Sequence, residues 1–178
     1  MSSAIPTVDD LRAAIRNVPD FPKPGIQFKD ITPVLGDPRL FSAAIDLLTA
    51  NWSAGSVDAV AGVDARGFIF AAAAALKLNA AFVPIRKQGK LPWKTLEESY
   101  ELEYGSSTLA IHADAVKPGD RVLLVDDLLA TGGTALAAAR LIQRLEATVV
   151  EAAFLIELEF LKGREKLTGL PLHSVVTY

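Results

Sequence analysis

Cysteine is absent from all 178 residues. This excludes a disulfide framework and thiolate metal sites, and leaves the cytoplasm as the default compartment. Positive charge is not in excess: 18 Lys and Arg stand against 21 Asp and Glu, for a net charge of −3. Nothing therefore points to a nucleic-acid partner held by phosphate neutralisation. Long apolar runs are missing too. The most apolar stretch, Gly67 to Leu76, lies between Arg66 and Lys77 and falls well short of the roughly 20 residues that span a bilayer. It reads as a deeply packed helix, and no membrane association is expected. The first ten residues lack the basic start and apolar core of a secretory signal. The two histidines, His112 and His173, stand apart without ligand spacing and read as structural or surface residues. No internal repeat, linker or low-complexity tract interrupts the chain.

The content that remains is that of a globular protein. Hydrophobic residues make up 51% and charged residues 22%, and the length suits one domain, residues 1–178, with a full core. Thr7 with Asp10 forms a loose capping box, and Leu11 and Ile15 follow at helical spacing, so Val8 to Arg16 reads as a helix. Three prolines keep Val18 to Gly25 extended. Ile26 to Ile31 alternates apolar and polar residues. Asp37-Pro38 opens a helix through Leu48. Apolar runs predict strands over Val57–Val63, Ala81–Ile85, Val122–Val125 and Val149–Ile156. Leu91 to Glu98 reads as loop, Ser99–Tyr104 and Thr108–His112 as a hairpin, Lys162–Lys166 as a short charged helix, and Leu172–Tyr178 as a last strand. Strands alternating with helices imply an α/β fold, a mostly parallel twisted sheet flanked by helices. The N-terminal segment to about Val34 and the part after Ile156 are expected to wrap over the strand ends.

The densest chemistry lies between Arg121 and Leu145. An apolar strand should end at Asp126 and Asp127; Ala130-Thr131-Gly132-Gly133-Thr134 follows and leads into an Ala-rich helix. A small-residue turn at a helix N-terminus cradles an anion with backbone N–H groups and the helix dipole. Here the acids precede the glycines and no Lys follows, unlike a dinucleotide fingerprint or a P-loop. The loop can hold one phosphate, with two acceptor carboxylates behind it, an arrangement that suits a sugar 5-phosphate. Two other strand ends carry chemistry: Asp64-Ala65-Arg66-Gly67, and Arg86-Lys87-Gln88-Gly89-Lys90. Their basic groups suit a second, more highly charged anion such as a diphosphate. Read alone, Phe28 is a core aromatic, Glu103 a surface carboxylate, the Arg86–Lys90 cluster a solvated loop, and Trp52 and Trp93 packing residues.

The stretch Asp126 to Thr134 resembles the donor-binding motif of the type I phosphoribosyltransferases. The rest of the chain resembles the adenine phosphoribosyltransferase family, through Asp20 to Leu35, Gly62 to Phe68, Ile85 to Pro92, Leu102 to Gly105 and Leu161 to Leu167. The resemblance implies transfer of a phosphoribosyl group from 5-phosphoribosyl 1-diphosphate to adenine, giving AMP and diphosphate, with Mg2+, in a cytoplasmic homodimer. It implies a small hood from residues 1–34 and a flexible loop near residues 86–110. By the same resemblance Ala130, Thr131, Gly132, Gly133 and Thr134 hold the 5-phosphate, and Asp126 and Asp127 hold the ribose hydroxyls. Arg66 holds the diphosphate with the Asp64–Ala65 peptide, a cis bond in the family. Lys87 serves the diphosphate also, and Arg86 does so from the partner subunit. Phe28 and Leu158 contact the adenine ring. Glu103 is the catalytic acid/base, on a mobile loop with Tyr104. No residue ligates the metal directly; substrate and water hold it.

Departures from the family are small. Gln27 and Lys29 replace an apolar residue and Arg, and Ala65 stands where Ser is common. Backbone groups of residues i and i+2 on an extended segment face the same way. The Gln27 carbonyl and Lys29 N–H can therefore read the amine and N1 of adenine, and would mismatch the O6 and N1–H of hypoxanthine or guanine. Two alternatives stay open at this point: a phosphoribosyltransferase for another purine, and a non-catalytic regulator that senses nucleotides.

Overall fold

The computed structural model describes residues 5–101 and 106–178. The chain forms two compact units, Met1–Leu47 and Leu48–Tyr178.

In the first unit, helix α1 (Val8–Ala14) starts at a true capping box. The Thr7 hydroxyl accepts from the Asp10 N–H at 3.3 Å, and the Asp10 carboxylate accepts from the Thr7 N–H at 2.7 Å. The helix stops at Ala14, two residues earlier than its sequence suggests, because Arg16 enters strand β1 (Arg16–Pro19). β1 pairs antiparallel with β2 (Gln27–Asp30), placing Val18 opposite Phe28. The connection between them contains a cis Phe21–Pro22 bond. Two helices follow, α2 (Thr32–Gly36) and α3 (Pro38–Leu48), the second opened by Asp37, whose carboxylate accepts from the Arg39 N–H at 2.8 Å.

The second unit contains β3 (Ala59–Val63), α4 (Gly67–Leu78), β4 (Ala81–Lys87), β5 (Thr95–Glu101), β6 (Ser106–His112), β7 (Arg121–Leu129), α5 (Gly133–Arg144), β8 (Thr148–Glu157) and β9 (Leu172–Thr177). Two 3₁₀ turns, Glu159–Leu161 and Gly163–Leu167, join β8 to β9. The seven strands form one sheet in the order β5-β6-β4-β3-β7-β8-β9. Five are parallel; the β5–β6 hairpin adds antiparallel pairing at one edge. The crossovers β3→β4 and β7→β8 leave the sheet centre in opposite directions. Right-handed connections then put α4 and α5 on opposite faces, and the strand order reverses between β3 and β7. Alanines of α5 pack with Ala61, Val63 and Leu124 on one face. On the other face, Gly62 lies under α4, and a Cβ there would stand 2.5 Å from the Ala71 methyl.

Four expectations need correction. Residues 95–98 are strand, not loop: β5 starts at Thr95. β7 does not end at the two acids but runs on to Leu129, because β8 stays paired with it that far. The C-terminal part does not simply wrap over strand ends, since β9 joins the sheet as its edge, parallel to β8. Finally, α4 is only partly packed. The sheet covers one side of it, while Leu76 is 86% exposed and Ile69 39%. Among the described residues no helix is long and apolar enough to cross a membrane.

Candidate functional site

The site forms where β3 and β7 part. Their pairing stops at Gly62 and Val125, so Asp126 and Asp127 keep a neighbour on the β8 side only. Ligands of open α/β sheets bind at such a reversal of strand order, outside the carboxyl ends of the strands. A concavity of about 350 Å³ opens there, lined by Asp64, Ala65, Arg66, Asp126, Asp127 and the turn Ala130–Thr134. Two separate sequence motifs, Asp64–Arg66 and Asp126–Thr134, thus line one concavity.

The turn is shaped for an anion. Gly132 caps α5 with φ +80°, a left-handed conformation that favours glycine. The first N–H groups of α5 have no partner within the helix, and among the described residues no side chain caps them. The helix dipole adds to their pull on negative charge. Tyr100 of β5 closes the side of the turn: its hydroxyl accepts from the Thr134 hydroxyl at 3.2 Å, and its ring lies against Gly133.

The acids are held differently. Arg66 Nε donates to Asp127 at 3.0 Å, and the Asp127 side chain is only 8% exposed. Asp126 accepts from the Asp127 N–H at 2.9 Å and packs against Gly67 at the start of α4. Part of Asp126 remains accessible, yet protein surrounds its carboxyl. Burial pushes Asp126 well above the ordinary carboxylate value, and the neighbouring charge of Asp127 adds to the rise. Burial raises Asp127 as well, against the pull of the Arg66 guanidinium. Buried like charges side by side resist ionising together.

The remaining sequence-derived residues fall as follows. The Asp64–Ala65 peptide is cis. Arg86, on β4, donates to Asp64 at 3.2 Å and to the Lys90 carbonyl at 3.0 Å, so within this chain it lies beside the same cis peptide. Lys87 is exposed at the end of β4. Leu158 is buried, and its N–H donates to the Leu129 carbonyl at 3.0 Å. In the first unit, the Phe28 ring meets Phe21 edge-on with centroids 5.1 Å apart. Gln27 is exposed, and Lys29 Nζ donates to Asn17 at 2.6 Å. Glu103 and Tyr104 lie outside the described residues. Sequence reasoning assigned no role to Tyr100, Glu157, Gly163 or Arg164. The last two stand in the Leu161–Leu167 match, and that was the one signal available for them. Trp52, read as a packing residue, also makes a polar contact, since its indole N–H donates to the buried Glu151 at 3.0 Å.

Residues 37–169 match the phosphoribosyl transferase domain model. Adenine phosphoribosyltransferase of Maricaulis maris is 56% identical over 171 residues, covering 95% of this chain and 98% of the relative. The chain belongs to the adenine phosphoribosyltransferase family. Among solved structures, adenine phosphoribosyltransferase from Rhodothermus marinus superposes with a TM-score of 0.92 at 53% identity, over 96% of this chain and 98% of that one. The Saccharomyces cerevisiae enzyme, crystallised with an imino-altritol bisphosphate and adenine, superposes with a TM-score of 0.89 at 41% identity, over 94% and 97%.

Proposed function

We propose that this protein salvages adenine, joining it to the phosphoribosyl group of 5-phosphoribosyl 1-diphosphate to give AMP and diphosphate. The carrying observation is one concavity that combines an uncapped helix N-terminus, two buried acids and Arg66. That set matches a donor with a phosphate at one end, a diol in the middle and a diphosphate leaving group. The 5-phosphate sits on Ala130–Thr134, and the ribose hydroxyls meet Asp126 and Asp127. Arg66, Lys87 and Arg86 take the leaving group with the Asp64–Ala65 peptide. Phe28 offers a stacking face to adenine and Leu158 an apolar contact, while the backbone of Gln27 and Lys29 reads its polar edge.

Displacement at C1 builds positive charge on the ribose and negative charge on the leaving diphosphate. Groups already aimed at that charge lower the barrier most. Glu103 takes the adenine proton as N9 attacks. No group of three or more metal-ligating side chains occurs among the described residues. This donor set fits Mg2+, which keeps several waters and takes one or two carboxylates plus substrate phosphates. Asp126 and Asp127 would orient that water shell, and the bound ion would neutralise charge on the diphosphate.

The family resemblance supports a cytoplasmic homodimer acting as one domain, with a hood over residues 1–34 and a flexible loop near 86–110. Leu76, Ile69 and Phe82, each more than a third exposed, support self-association. Sedimentation equilibrium tests it, and a monomer at all concentrations overturns it. Purine competition tests the function. Adenine, hypoxanthine, guanine and xanthine are offered with Mg2+ and the donor. AMP formation at least 100-fold faster than any other nucleotide is expected from a site that leaves mismatched polar groups unpaired, at about 1–3 kcal/mol each. Faster turnover of hypoxanthine would overturn it. In the same assay Glu103→Gln should keep substrate binding and lose turnover.

A further inference from the structure

Beyond β8, residues 157–164 turn back and pass directly behind the phosphate turn. The contact is backbone on backbone. A Cβ on Gly163 would overlap the Ala130 carbonyl oxygen and stand 2.9 Å from the Gly132 nitrogen. A Cβ on Gly132 would overlap the Gly163 carbonyl in return, with the Gly163 carbonyl carbon at 3.1 Å. Neither neighbour is the yielding tip of a side chain, so any added atom must displace main chain.

Gly163 is itself held. Lys162, just before it, has φ +54°, and its N–H donates to the Glu159 carbonyl at 2.9 Å. Arg164, just after it, forks onto Glu157, with Nε at 3.0 Å from one oxygen and Nη2 on the other. The Ser174 hydroxyl donates to the same carboxylate at 2.6 Å. Glu157 is only 4% exposed and lies opposite Leu129 in the β7–β8 ladder, one residue before the turn begins. The path Leu129, turn, Gly163, Arg164, Glu157 and back to Leu129 is therefore a closed ring. Its single side-chain link is the forked Arg164–Glu157 pair.

We propose that Gly163, locked by the Arg164–Glu157 pair, is a positioning residue that sets the shape of the Ala130–Thr134 turn and thereby the affinity for the donor's 5-phosphate. The proposal rests on the reading that this turn binds that phosphate. The ring touches the phosphate end of the concavity and leaves Arg66 and Lys87 to other elements. A lesion in it should thus be selective rather than general.

Calorimetric titration of the full-length protein with ribose 5-phosphate, and separately with inorganic diphosphate, tests this. Gly163→Ala should weaken ribose 5-phosphate binding by roughly 10-fold to 100-fold, the scale of a misplacement of about 1 Å, and leave diphosphate affinity within about twofold. Arg164→Lys keeps the charge but loses the fork, and should shift the same ratio by a smaller factor. Unchanged ribose 5-phosphate affinity in Gly163→Ala, or an equal loss for both ligands, overturns the proposal. If Gly163→Ala fails to fold, Arg164→Lys decides by the same ratio, and an unchanged ratio overturns it. Thr131→Ala separates the underlying reading. Weaker ribose 5-phosphate binding there, with none in Gly163→Ala, sinks the positioning role alone. No change in Thr131→Ala removes the phosphate assignment and the proposal with it.

Discussion

On the function proposed above, the two anionic ends of the donor would face two differently built regions. The turn Ala130–Thr134 offers main-chain N–H groups at a helix N-terminus, fixed by Gly132 and its backbone contact with Gly163. Among the described residues no side chain caps those N–H groups. The end proposed for the diphosphate offers long side chains that the protein has already neutralised, with Arg66 on Asp127 and Arg86 on Asp64. A phosphate can settle on the first with little rearrangement. On the proposed assignment a diphosphate would have to draw the arginines from their carboxylates, and the ribose hydroxyls would take the place of Arg66 at Asp127. On that assignment binding at the first end would be preorganised, and binding at the second would be an exchange of ion-pair partners.

The sharpest way to break this contrast is Arg66→Ala. It removes the proposed leaving-group contact and strands the buried Asp127, so turnover should fall by about 10²–10³-fold, the usual scale for losing one group that stabilises transition-state charge. Steady-state kinetics that leave kcat/KM unchanged would remove Arg66 from the leaving-group end. Asp126→Asn comes next, and its largest signal is in stability. Native Asp126 and Asp127 hold protons more tightly than the ordinary value of 3.8. Stability therefore declines as pH rises from that value through the raised native ones. The amide removes one charge of the pair. Urea unfolding at neutral pH should show a gain of roughly 0.5–2 kcal/mol with reduced turnover, and a shallower decline with pH. A loss of stability would show that the two acids are not in conflict. Glu157 runs the other way. The Arg164 fork holds it below its usual 4.5, so its contribution is present above that value and fades as pH falls through the depressed one. The smallest effect is expected of Tyr100→Phe. It keeps the ring against Gly133 and deletes the hydroxyl partner of Thr134. One hydrogen bond of about 0.5–1.5 kcal/mol predicts a two- to tenfold rise in donor KM at unchanged kcat. A fall in kcat alone would assign Tyr100 to the other end.

Much of this was readable in the chain because the signals are local. The apolar runs of β3, β7 and β8 report burial on both faces, and a glycine turn between strand and helix reports an anion cradle without outside help. What escaped depends on residues distant in sequence. The first four residues of β5 were hidden because Glu98 occupies an inward position where a strand pattern wants an apolar residue. Arg140 and Arg144 of α5 answer that charge, at 3.4 and 3.1 Å. The extension of β7 through the acids depends on how far β8 accompanies it. Arg86 was legible as a basic residue at a strand end, but its pairing with Asp64 across 22 positions was not. Gly163 and Tyr100 meet the turn from other elements, and beyond the Leu161–Leu167 match nothing in their own neighbourhoods announces it.

Gly62 fixes a height. With no side chain between the sheet and the Ala71 methyl, α4 rides a full atom layer lower than it otherwise could. Arg66 and Gly67, at the head of that helix, are lowered with it until Gly67 rests on the Asp126 carboxyl. The vertical scale of the cavity is thus set by a residue that does not line it. A larger residue at 62 would tilt or lift the helix and draw Arg66 away from Asp127. Such a variant would present itself as an active-site defect although every residue around the substrate was intact.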